Sequence, residues 1–131
     1  MRPSEYIALG IRLRPRQEFR NSRSAGAGCA LTAFVDGVMG MRTERSSALV
    51  ERTLILAAVP GLRRGAVGAP LFECPACQDV GIPYANNVFG AVVHLNDTHR
   101  WTRERIGEWL DAQVEPASTA EPEEELELIT A

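Results

Sequence analysis

Between Cys29 and Met41 the apolar residues Leu31, Phe34, Val35 and Val38 fall at i, i+3, i+4 and i+7. That is the spacing of one buried helical stripe, with Gly40 near its end. A second helix is expected over Ser46–Ala58, with Leu49, Thr53, Leu56 and Ala57 on one face and Pro60-Gly61 as its stop. A third runs from Val88 to Leu95, capped by Asn87, with Val88, Ala91, Val92 and Leu95 turned inward and Asn96-Asp97 breaking it. The last, 103–113, has Thr102 as N-cap, a Trp101/Ile106 hydrophobic staple, and Ile106, Trp109, Leu110 and Gln113 on one face. Ser4–Arg14 carries two patterns at once. Ile7, Leu9, Ile11 and Leu13 alternate as in a strand, yet Ile7/Ile11 and Leu9/Leu13 also stand four apart behind Pro3-Ser4, which favours a helix ended by Pro15. Residues 16–28, polar and then glycine-rich, read as a loop.

These elements predict a mostly α fold: a single domain over 1–114 with four or five short helices and an irregular Cys-x-x-Cys knuckle at 71–84, followed by an acidic tail at 115–131. The tail, with Pro116, Pro122 and a run of glutamates, is poor at burying itself. The hydrophobic fraction of 45% and charged fraction of 24% are ordinary globular values, and no apolar run approaches the roughly 20 residues of a membrane span. The opening residues lack the layout of a secretory signal, so a cytoplasmic, reducing setting is expected.

All fourteen basic residues are arginines. The net charge of −3 conceals a division: residues 1–64 carry +6 and residues 65–131 carry −9. Arg12, Arg14, Arg16, Arg20 and Arg23 form a basic stretch with one aromatic, Phe19, inside it. No nucleic-acid motif accompanies it and the pI is about 5.4, so a solvated surface or a dock for the acidic tail is favoured over phosphate binding. Leu126, Leu128 and Ile129 within the tail could enter a partner's groove or add to a sheet edge.

Three cysteines, an odd number, argue against a disulfide framework. Cys74-Pro75-Ala76-Cys77 is the most specific chemical feature, because a C-x-x-C turn lets two thiolates converge on one tetrahedral ion. A second such pair is absent, so the remaining ligands must come from elsewhere. Cys29, at a helix start that favours a thiolate, and His94, on a helix, complete a Cys₃His shell for structural zinc; His99, in the loop beyond, is the alternative ligand. Cys29 and His94 also have plain readings as a small core residue and a hydrogen-bonded core histidine. A redox role for the cysteine pair lacks the βαβ setting of thioredoxin-like chemistry. Gly26-Ala27-Gly28 before a helix suggests anion binding in principle, but no strand precedes it and the phosphate-loop contexts fail. A Cys29–His94 nucleophile pair is the remaining catalytic option.

The segments Cys29-Ala30-Leu31-Thr32-Ala33 and His94-Leu95-Asn96-Asp97-Thr98-His99-Arg100-Trp101-Thr102-Arg103-Glu104 resemble a group of small bacterial and phage-encoded proteins. In that group a Cys-Ala-Leu-Gly-Ala-type helix precedes a His-Leu-Asn-Asp…Trp-Thr-Arg-Glu segment, often with Cys-Pro-x-Cys between; here Thr32 stands where Gly is usual. The resemblance covers about 29–112 and implies an order of elements but no activity. Asn96-Asp97 have a structural explanation, as short polar side chains that close a turn and satisfy orphan backbone groups, beside a ligand role for Asp97. The expectation is therefore a non-enzymatic binding or assembly module with a structural zinc site and a protein partner or self-association. A thiol-disulfide oxidoreductase using Cys74/Cys77 and a nucleic-acid-associated accessory protein are the alternatives.

Overall fold

The computed structural model describes residues 1–20, 23–62, 74–77 and 88–114. Among them run five α-helices: α1 Pro3–Leu13, α2 Ala30–Met39, α3 Ala48–Ala58, α4 Val88–Asp97 and α5 Arg103–Gln113, with a 3₁₀ turn at Pro60–Leu62. The mostly α expectation holds, and the ambiguous first segment is a helix. Asn87, most of the 71–84 knuckle and the tail lie outside the described residues.

Helix α2 is the centre. Every residue from Ala30 to Gly37 is buried, more than the single stripe its periodicity predicts, because α1, α3, α4 and α5 all pack around it. Cys29 precedes it in extended conformation, and Gly40, at φ 71°, ends it in the left-handed region where a glycine costs least. The α1–α2 crossing brings backbone against backbone. A Cβ on Gly10 would lie 1.8 Å from the Ala33 carbonyl oxygen, and one on Gly37 would lie 1.7 Å from that of Tyr6. Tyr6 and Phe34 stack nearby with ring centroids 6.0 Å apart.

Helix α5 follows its sequence signals closely. The Thr102 hydroxyl accepts from the Arg105 N–H at 3.2 Å, Ile106 and Leu110 are buried, and Trp101 packs partly buried against the core under the Arg105 guanidinium. Its Asp111 carboxylate accepts from the Ser4 N–H (2.9 Å) and hydroxyl (2.5 Å), fastening the start of α1.

Two expectations change. The 16–28 loop contains three two-residue strands, β1 Arg16–Gln17, β2 Arg23–Ser24 and β3 Ala27–Gly28, in the order β1-β3-β2. β3 runs parallel to β1 and antiparallel to β2; pairs this short show no alternation to read. In α3 the buried residues are Glu51 and Ile55, while Leu49 is 75% exposed. That helix is apolar on several sides, so its own pattern does not select the face; Ile55, Val59 and Leu62 turn inward together.

The core holds polar side chains that tie the elements together. Arg14, expected among surface arginines, is buried: its Nε donates to the fully buried Asp36 at 2.6 Å, and its remaining nitrogens reach the carbonyls of Ser24 and Thr43. Asp36 also accepts from the Thr43 N–H (2.9 Å) and hydroxyl (2.7 Å). Arg103 donates to the carbonyl oxygens of Arg14, Pro15 and Gly28, and its burial pushes its pKa down. Asn96 Oδ1 accepts from the Ala30 N–H and from Gln17 Nε2, and its Nδ2 donates to the Glu18 carbonyl and to Asp97. Asn96 and Asp97 lie inside α4 rather than breaking it, and Asn96 satisfies the start of α2 instead of closing the turn after α4.

Candidate metal centre

Three local structures meet at one point. The first is the C-x-x-C turn, closed by the Cys77 N–H on the Cys74 carbonyl at 3.3 Å, with Cys74 half-buried against the core and Cys77 exposed. The second is the last turn of α4, which carries His94. The third is the chain just beyond, where His99 sits.

Residues five apart on a regular helix point about 140° away from one another, so His94 and His99 converge only because the helix ends between them. Past Asp97 the N–H groups of Thr98 and His99 both donate to the His94 carbonyl, at 2.9 and 3.4 Å. Arg100 then takes a left-handed conformation, φ 55°, and Trp101 N–H returns to the Leu95 carbonyl at 3.1 Å. Arg100 is held there with its guanidinium 4.2 Å from the centre of the Phe19 ring. The result folds His99 back over His94, rings edge to face, with 3.1 Å between their Nε2 atoms.

Cys77 Sγ lies 3.4 Å from each of those Nε2 atoms, and the four donors of Cys74, Cys77, His94 and His99 all fall within 4.8 Å of one another. A tetrahedral zinc ion with ordinary bond lengths sets its ligand atoms apart by about 3.6 Å for S–N, about 3.3 Å for N–N and about 3.8 Å for S–S. The three edges among Cys77, His94 and His99 match to within a few tenths of an ångström, and the Cys74 donor lies within 4.8 Å of each. Burial, and next the charge of His99, lowers the His94 pKa and so favours the neutral imidazole that ligates metals. The donor set of two thiols and two imidazoles fits zinc by chemistry as well as by distance.

The donor cluster differs from the expected Cys₃His shell at one position. Cys29 stands outside the cluster: it is 2% exposed in the core, its Sγ 3.4 Å from the Thr32 hydroxyl at the start of α2. His99, the alternative to His94, joins it instead. The signal in the sequence was the spacing: His94-x₄-His99 after Cys74-x₂-Cys77 is the ligand spacing of a Cys₂His₂ site, whereas Cys29 lies 45 residues before the pair. Asp97 also stands outside, accepting from Asn96.

Of the residues expected to meet partners, Arg12, Arg16 and Arg20 are exposed and Arg14 is buried. The Arg23 side chain and Leu126, Leu128 and Ile129 lie outside the described residues. No helix among the described residues is long and apolar enough to cross a membrane. Comparison with protein families, curated proteins and solved structures found no match.

Proposed function

We propose that this protein is a small helical module whose Cys-x-x-Cys turn is fastened to the end of α4 by a structural zinc ion, and that it acts by binding rather than by catalysis. The observation that carries this reading is the donor polygon around Cys77: edges of 3.4, 3.4 and 3.1 Å, with Cys74 in the same turn. Four protein ligands saturate a tetrahedral ion, which leaves no open position for substrate or activated water. Zinc in that shell links a turn to a helix that approaches it from elsewhere in the chain, the work of a cross-link in a reducing, cytoplasmic setting. The binding surfaces in this reading are the exposed arginines Arg12, Arg16 and Arg20 and the acidic-apolar tail with Leu126, Leu128 and Ile129, which suit a protein partner or a second copy.

Metal analysis of protein purified without chelator tests the reading. About one zinc per chain, lost together with thermal stability in Cys77→Ser, is the expected result. Metal-free protein whose Cys74/Cys77 pair cycles with a dithiol would replace it with an oxidoreductase.

A further inference from the structure

The geometry points to a second property of the same centre: it is a peroxide-sensitive gate, in which oxidation of Cys74 and Cys77 to an intramolecular disulfide expels the zinc and unfastens the turn from α4. This inference rests on the zinc reading above. Three observations lead to it. The cysteines are divided by access, since Cys77 is exposed and Cys74 half-buried while Cys29 is sealed in the core at 2% exposure. The two reachable sulfurs belong to one turn, closed by the Cys77 N–H on the Cys74 carbonyl, so a sulfenate formed on either has its resolving partner three residues away. The other two donors, His94 and His99, are imidazoles that peroxide leaves intact and that cannot hold the ion alone in a closed shell.

The oxidant is hydrogen peroxide. The Cys77 thiolate attacks one peroxide oxygen, the O–O bond breaks, and sulfenic acid and hydroxide form. The Cys74 thiolate then attacks the sulfenic sulfur, the S–S bond forms and a second hydroxide leaves. Two electrons pass from the sulfurs to the peroxide, two protons from solvent convert the hydroxides to water, and zinc departs as the hydrated ion. A dithiol reverses the oxidation, and added zinc closes the site again.

The experiment uses the full chain, its zinc content measured first. Sub-millimolar hydrogen peroxide is added with a metallochromic dye present, and the cysteines are mapped by mass spectrometry. The expected result is one zinc released per Cys74–Cys77 disulfide, a mass loss of two hydrogens, Cys29 unmodified, and at least nine-tenths of the zinc rebound after dithiol and zinc are supplied. Protein that holds its zinc through the treatment overturns the gate while leaving the metal centre intact. Release accompanied by sulfinic acid, or by a disulfide to Cys29, also overturns it. Protein that carries no zinc before peroxide is added contradicts the metal centre itself, and the gate with it.

Discussion

Asn96 shows how much one short polar side chain can carry. It accepts from the Ala30 N–H, donates to the Glu18 carbonyl and meets the side chains of Gln17 and Asp97, all at 1% exposure. Asn96→Ala leaves the buried Ala30 N–H and the part-buried Glu18 carbonyl without their Asn96 partner and should cost about 3 kcal/mol in urea unfolding. The residue type suggested a turn-closing role, but Asn96 lies inside α4 and serves backbone groups 66 and 78 residues away along the chain, which only the fold reveals. Arg14 was harder still. An arginine in a basic stretch reads as surface, and only the fold reveals Asp36 buried beside it. His94 gives a pH prediction. Its pKa is held below the usual 6.5, chiefly by burial and then by His99, so the unfolded chain binds the proton more readily. The stability it contributes is therefore present above about pH 6.5 and lost as pH falls toward the depressed folded value. Urea midpoints of chelator-treated protein should drop on acidification through that window, and His94→Gln should flatten the drop.

At the level of elements, helices were legible where several signals agree, and the buried face of α3, which is capped by Ser47 but apolar on several sides, was not. Helix α5 could be placed from Thr102, Trp101 and Ile106 alone, because cap, staple and periodicity agree. Helix α3 is apolar on several sides, and its neighbours chose Ile55 over Leu49. Ile55→Ala should therefore destabilise by about 2–5 kcal/mol, while Leu49→Ser should stay within about 0.5 kcal/mol. Equal effects would restore the face expected from the pattern. The α1–α2 crossing makes a sharper demand. At Gly10 and Gly37 an added methyl meets backbone rather than a yielding side chain, so the helices themselves must part. Gly37→Ala should cost about 3 kcal/mol or more by thermal or urea unfolding, against the few tenths expected when alanine replaces glycine in an open helix.

For the whole molecule, the candidate metal centre is where local signals and the fold had to be read together. The C-x-x-C turn identified half of the site. His94 was the expected helical ligand and His99 its alternative; the fold brings both to the turn and leaves Cys29 in the core. The left-handed Arg100 and the double acceptance at the His94 carbonyl fold His99 back beside His94, a turn that no local pattern announces. Zinc content of three full-length proteins purified without chelator tests this most directly. The wild type and Cys29→Ala should each carry about one zinc, and His99→Ala should lose most of it along with thermal stability. Zinc that disappears with Cys29 and survives the loss of His99, or a wild-type protein that carries none, would contradict the Cys74, Cys77, His94, His99 centre.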